Sequence, residues 1–377
     1  MNLLRLLAKK ILLLLNVLAV LVFLVACLVP YIGPDRFWPI SFLGLAFPYI
    51  LIVVAAFFVF WLIFRTKYSF LSLIALILGW KSISVLFAFH PGSAPPAKDP
   101  ADQMTVMSYN VRYFKDFDYS PAKNARLRTK IMTLIRGQHP DILCLQEFYT
   151  SENPHDDDNK AYLSKELHLP YRYFSSDHNF ENNHSGVILF SRYPIIHTAK
   201  VKLLEHSTEE SAVYADIVRG RRDTFRLFTV HLQSVYLSHK DLAGLQKMKM
   251  QEDTGFQASR VILGKLRKAF LKREHQAQKV AEEISQSPYP VILCGDFNDT
   301  PNSYAYFKIR GGMQDAFLKR GFGIGRTYSG IAPTLRIDYI FASPVFTIHS
   351  FNRIKRVLSD HYPIVAELSL KKNGQGG

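Results

Sequence analysis

The stretch Val291-Ile292-Leu293-Cys294-Gly295-Asp296-Phe297-Asn298-Asp299 decides how this chain is read. Four apolar residues predict a buried strand. Gly295 breaks the run, and Asp296 and Asn298 emerge at the strand's end on a turn. Side chains two apart on an extended segment point the same way. A carboxylate and an amide are thereby presented at the mouth of a sheet, where open α/β sheets place their chemistry. Gly, Asp and Asn are also ordinary turn formers after a strand, so the stretch gains weight only from others like it.

Those others lie along the chain. Ser108-Tyr109-Asn110 places an amide after a first strand, and Cys144-Leu145-Gln146-Glu147 a carboxylate after a second. Thr229-Val230-His231 brings in an imidazole. Arg336-Ile337-Asp338-Tyr339-Ile340 sets an acid inside an apolar strand, which is expensive unless that acid is paired. Ser359-Asp360-His361-Tyr362-Pro363 puts an acid beside an imidazole just before the last strand. Strands are expected at 104–109, 142–146, 186–190, 212–217, 225–231, 291–294, 337–341 and 364–370, with helices at 123–138 and 257–285. Such numerous strands over 104–370 indicate one α/β or α+β sandwich domain. The glycine-rich Gly321–Gly325 leads towards a strand, not a helix, and reads as a flexible loop.

The ordered set SYN, DILCLQE, GVILFSRYPI, HLQS, GDFND, RIDYIF and SDHYPI closely resembles the endonuclease/exonuclease/phosphatase family over about Met104 to Leu370. The resemblance implies a four-layer α/β sandwich, two mixed β-sheets packed face to face with helices outside. It implies a Mg²⁺-dependent phosphoesterase, with Mn²⁺ able to serve. Glu147 would be the principal metal ligand, with Asn110 and Asp360 completing the site. Asp296 would orient and deprotonate the attacking water, and Asn298 would donate to a phosphoryl oxygen. His361, held by Asp338, would neutralise the phosphate, and His231 would do similar phosphate or leaving-group work. A histidine at 231 points to the deoxyribonuclease, phosphatase or sphingomyelinase branches, since repair nucleases can use tyrosine there. The chemistry suits these residue types unaided: phosphate-ester hydrolysis needs a hard cation, a positioned water and donors for developing charge. No Cys/His cluster is spaced for structural zinc. A catalytically inactive relative that binds phosphorylated ligands or scaffolds a complex is the competing reading.

The chain of 377 residues carries a formal charge of +15, divided as +6 over residues 1–90 and +9 over the rest. A soluble part at +9 attracts anions: nucleic acid, nucleotides or phospholipid headgroups. No obligate protein partner is implied. Three cysteines make no disulfide framework, and Cys144 and Cys294 sit in apolar runs that suit core thiols. Residues 1–90 read as a membrane anchor with apolar runs at 11–29, 40–64 and 68–89, each near the ~20 residues a crossing helix needs. Lys81, Ser82 and Ser84 weaken the third run, whose alternative is an interfacial amphipathic helix; Lys81 lies past the midpoint and could snorkel. Arg5, Lys9, Lys10, Arg65 and Lys67 belong on the cytoplasmic side, so three crossings leave the catalytic domain extracytoplasmic and two would leave it cytoplasmic. Leu24-Val25-Ala26-Cys27 also resembles a lipoprotein cleavage box. Residues 91–103 read as a linker and 371–377 as a polar tail.

Overall fold

The computed structural model describes residues 3–90, 102–115, 121–153, 158–204, 210–220, 223–235, 255–330 and 332–371. Most of the expected linker and tail therefore lies outside the described residues. The chain divides into two units.

The first unit holds described residues 3–87, 255–274 and 300–307. Helices α1 (Leu3–Ala26) and α3 (Ile40–Phe64) are long and apolar enough to cross a bilayer, and a short α2 (Pro34–Phe37) lies between them. Their outward faces carry exposed Leu14, Leu18, Ile52 and Ile63. So much exposed aliphatic surface is unusual in water and ordinary in lipid. Inside the bundle Phe23 stacks on Phe47 with ring centroids 5.5 Å apart. Ser72 donates a 2.9 Å hydrogen bond to Asn16 Oδ1, a polar tie of the kind that joins helices where no hydrophobic force does.

The third apolar run differs from expectation. It begins as α4 (Thr66–Leu78), breaks at Gly79, and resumes as the one-turn α5 (Trp80–Ile83). A Cβ at Gly79 would lie 2.4 Å from the Phe23 ring and 2.9 Å from Cys27 Sγ, so close approach to α1 requires glycine. Lys9 Nζ sits 5.1 Å from the Tyr68 ring at the start of α4. The third run thus begins beside the start of α1 and reaches its end. The expected helix over 257–285 forms as well, and its first part packs in this unit: Phe270 meets Phe42 edge to face at 5.3 Å, and Arg267 lies over Trp38.

The second unit holds the remaining described residues, which fall within 88–90, 102–235, 275–299 and 308–371. Its elements are β1 (Ala88–Phe89), β2 (Met104–Asn110), α6 (Pro121–Arg136), β3 (Ile142–Ser151), α7 (Asn159–Glu166), β4 (Tyr171–Phe174), β5 (His178–Phe180), β6 (Asn183–Ser191), β7 (Ile195–Val201), β8 (Ala212–Val218) and β9 (Thr224–His231). There follow α8 (Gly255–Ser285, shared between the units), β10 (Val291–Asp296), α9 (Tyr304–Arg310, also shared between the units), β11 (Gln314–Asp315), α10 (Ala316–Arg320), β12 (Phe322–Gly323), β13 (Asp338–Ala342), β14 (Phe346–Arg353) and β15 (Ile364–Leu370).

One sheet has the order β11-β13-β10-β9-β8-β7; the other has β14-β15-β2-β3-β6-β4, with β5 also on β6. They form a mixed α/β sandwich of packed sheets with helices around them. The strands expected from sequence all form. The added ones, chiefly β7 and β14, are largely polar or half-exposed, and only the start of β14, Phe346-Thr347-Ile348, alternates buried apolar with polar. The expected loop at Gly321–Gly325 is partly a ribbon, because Phe322 and Gly323 pair with Phe89 and Ala88.

Period-two alternation positions the site. Met104, Val106, Ile142, Cys144, Phe225, Leu227, Ile292, Cys294 and Ile340 all join the core cluster that also takes residues from both sheets' partners. Continuing the same parity towards one end of the strands reaches Asn110, Gln146, His231, Asp296 and Asp338. The inner faces are apolar at the base and polar at the mouth. Met107, Tyr109, Leu143 and Leu145, of opposite parity, pack with Ile131, Leu134 and Ile135 of α6.

Gly295 sits at φ +145°, opposite Val230 on β9, and a Cβ there would lie 2.0 Å from the Val230 carbonyl oxygen. Gly295→Ala is expected to cost at least about 2 kcal/mol through strain and overpacking. A thermal melt of the detergent-solubilised chain unchanged by the substitution would contradict this.

Candidate active site

Asp296 ends β10 and faces Asp338, its direct partner at the start of antiparallel β13. Two carboxylates opposite one another repel, and both are buried. His361 resolves the conflict. Its Nδ1 lies 3.1 and 3.0 Å from the Asp338 oxygens, and its Nε2 lies 3.5 Å from Asp296 Oδ2. Burial works against an imidazolium here, but Asp338, Asp296 and Asp360 outweigh it and hold His361 protonated well above the ordinary imidazole range. Burial also pushes the Asp296 carboxyl up to about 6, against the pull of His361.

Asn110 ties the second sheet to this group. Its amide donates to Asp296 Oδ2 at 3.0 Å and to Glu147 Oε1 at 3.1 Å, and its oxygen accepts from the Arg112 backbone N–H. Ser359 Oγ donates to the Asn110 carbonyl, which locks the loop carrying Asp360 and His361 to the end of β2. Glu147 would point out of the sandwich by simple alternation, because Cys144 and Gln146 point in. A β-bulge between Leu145 and Phe148, with Glu147 at φ 48°, turns it to the mouth. Left-handed backbone recurs at Asn298 (φ 52°) and over Arg112–Phe114 (φ 49° to 57°). Strained conformations of this kind gather where a site is over-determined by its surroundings.

The remaining expected residues fall in the same place. His231 ends β9 beside Asp296, and its Nε2 lies 3.7 Å from Glu147 Oε1 and 3.9 Å from Asp296 Oδ2. That nitrogen is buried and makes no hydrogen bond. The Asn298 backbone N–H donates to Asp296 Oδ1, while its side-chain amide donates to the Leu232 carbonyl. Asp360 Oδ1 lies 3.0 Å from Ser359 Oγ, and its Oδ2 lies 3.8 Å from Arg112 Nε.

Two further residues belong here. Tyr328 bridges to His361 and packs edge to face on its ring at 5.2 Å. Burial, then Asp360 and Asp296, push its hydroxyl up to about 12, so it stays neutral beside these carboxylates. Nothing in the alternation points to it, because it sits outside any long strand. Arg112 was signalled only by its closeness to Asn110 in sequence.

Glu147 and Asp360 offer hard oxygens at the partly exposed mouth, with side chains 21% and 23% accessible. This donor set suits a Mg²⁺-like ion. Asp296, Asp338 and His361 also present potential ligand atoms within 4.8 Å of one another.

A family model described as the Endonuclease/Exonuclease/phosphatase family matches residues 107–361. The chain belongs to that family. Its members are hydrolases of phosphate esters. A second model, described as a domain of unknown function, matches residues 9–86. No curated protein matches the chain. Among solved structures, an endonuclease/exonuclease/phosphatase from Beutenbergia cavernae is similar at 18% identity and TM-score 0.51, with 72% of each chain covered. A family protein from Bacteroides thetaiotaomicron gives 19% identity and TM-score 0.51 over 72% of this chain and 98% of its own. The human Nocturnin catalytic domain, with a bound sulfate anion, gives 18% and 0.51 over 72% of this chain and 95% of its own. These likenesses show the fold.

In the metal-free chain, Asp338→Asn is expected to lower the His361 pKa by about 1–3 pH units, measured by NMR titration of the imidazole. The sign for stability follows. A folded pKa above the unfolded ~6.5 gives stability that is complete below that value and is lost as pH rises through the folded pKa. The substitution should therefore destabilise the chain most below pH ~6.5. An unchanged His361 titration would contradict the assignment.

Proposed function

We propose that the second unit is a divalent-metal-dependent phosphoesterase acting on phosphodiester or phosphomonoester bonds, and that the first unit tethers it to a membrane. The observation that carries this reading is the buried Asp296, held at Oδ2 by Asn110 and at Oδ1 by Asn298 beside the unpartnered Nε2 of His231. Buried nitrogens are normally satisfied, and this one is aimed where a phosphate oxygen or leaving group would sit.

Glu147, Asp360 and Asn110 would hold Mg²⁺ or Mn²⁺. When bound, the ion neutralises charge on the phosphoryl oxygens. Asp296, ionised above about pH 6, orients water and takes its proton as the water oxygen bonds to phosphorus. The bond from phosphorus to the leaving oxygen breaks, and His231 stands beside that oxygen to donate to it. His361, kept cationic by Asp338, faces the equatorial oxygens, where charge-assisted donors are strongest. Asn298 has a second amide N–H beyond the one spent on Leu232 and would donate it to the same oxygens. Nucleic acid, nucleotides and phospholipid headgroups all present the required ester.

For the tether, we infer three crossings. From Lys9 to Tyr31 is about 33 Å at the helical rise, close to the ~30 Å hydrocarbon core. Lys9, Arg65 and Lys67 mark one end, and Tyr31, Trp38 and Lys81 the other. Thr66–Ile83 covers the same span, as its contacts at Lys9 and Cys27 indicate. The catalytic unit would then emerge opposite the basic end, outside the cytoplasm.

Purified full chain should release nitrophenol from bis(p-nitrophenyl) phosphate only with Mg²⁺ or Mn²⁺. Asp296→Asn or Glu147→Gln should lower kcat by at least about 10³-fold, roughly 4 kcal/mol of barrier, with the melting curve retained. Full turnover in either variant, or in excess chelator, would refute the assignment. Protease added to sealed right-side-out vesicles should remove the catalytic unit; protection there would refute the three-crossing topology.

A further inference from the structure

The membrane unit contains a groove that neither the tether nor the catalytic reading uses. It has a volume of about 370 Å³, with Leu21, Leu24, Leu28 and Leu78 among its walls and Tyr31, Lys81 and Ser82 at one end. That volume lies within the range of specific ligand clefts. Its walls belong to α1 with its continuation and to α4, and Leu21, Leu28 and Leu78 are 54%, 47% and 69% exposed. The groove is therefore open along its flank, on the surface that faces lipid if α1 crosses a bilayer.

Its polar end is the informative part. Lys81 Nζ lies 4.6 Å from the Tyr31 ring centroid and 5.4 Å from that of Phe307. Its described partners are these two rings and no carboxylate. An ammonium resting on aromatic faces is attracted to them but keeps its positive charge uncompensated. A long aliphatic stem reaching to the headgroup level is how lysine behaves at a membrane boundary. Tyrosine at the same level is the usual interfacial aromatic. The groove is thus apolar for most of its length and cationic at the headgroup end. That pattern suits an anionic amphiphile, and the bilayer itself supplies one in the form of acidic phospholipid.

We propose that this groove binds one anionic phospholipid, with an acyl chain along Leu21, Leu24 and Leu78 and the headgroup phosphate on Lys81. The site is separate from the catalytic residues, and it rests on the reading that α1 and α3 cross a bilayer. It gives the first unit a lipid preference as well as an anchoring role.

The test uses the full chain in detergent micelles with equimolar phosphatidylglycerol and phosphatidylcholine, and retained lipid is counted by native mass spectrometry. One phosphatidylglycerol should be kept over phosphatidylcholine by about fivefold, the contribution of one lysine at an anionic headgroup. Lys81→Gln should bring the ratio to about one, whereas Lys81→Arg and Lys67→Gln, the latter at the opposite end of the bundle, should keep it. Leu24→Trp, which fills the groove, should lower retention of both lipids. A wild-type ratio in Lys81→Gln, or an equal loss in Lys67→Gln, would overturn the proposal. The readout is bound lipid, so either result leaves the phosphoesterase reading where it stands.

Discussion

Two carboxylates facing each other in a dry sheet need either a proton on one of them or a cation between them. Asp296 and Asp338 are such a pair, and His361 is that cation. The requirement reaches outward. The loop holding His361 must be fixed, and Ser359 fixes it to the end of β2. The start of β13 must also be fixed, and Thr327 Oγ1 accepts from both the Ile337 and Asp338 backbone N–H groups. Asn110 then joins the two sheets through Asp296. A purely apolar end to the sandwich would pack more simply and do no chemistry.

The same geometry divides the labour among the acids. Asp296 is buried and charge-coupled, so its protonation can change near neutral pH. Glu147 and Asp360 sit at the wetter mouth, where hard oxygens can meet an ion. Lower in the core, Cys144 and Cys294 bring their sulfurs to 3.6 Å across the sheets, small apolar fillers under the polar end.

Much of this was legible in the sequence, for a definable reason. Strand alternation is a local rule, so Asn110, His231, Asp296 and Asp338 could be assigned to strand ends from their own neighbourhoods. Which strands lie side by side is not local; the ordered resemblance to a family supplied it. Glu147 shows the limit of alternation, since only a bulge brings it to the mouth. Tyr328 shows another limit: its place depends on a single bridge to His361. In the first unit hydropathy marked the apolar runs but not the break at Gly79, where a side chain would run into the Phe23 ring of another helix.

The central claim is that residues from both sheets surround one ion and one phosphate. Anomalous diffraction from crystals of the full chain soaked in Mn²⁺ and inorganic phosphate tests it most directly. The account predicts a single manganese peak on the Glu147 carboxylate, with a phosphate in hydrogen-bond reach of His231 and His361. Manganese seated instead between Asp338 and His361, or phosphate bound away from both histidines, would contradict it.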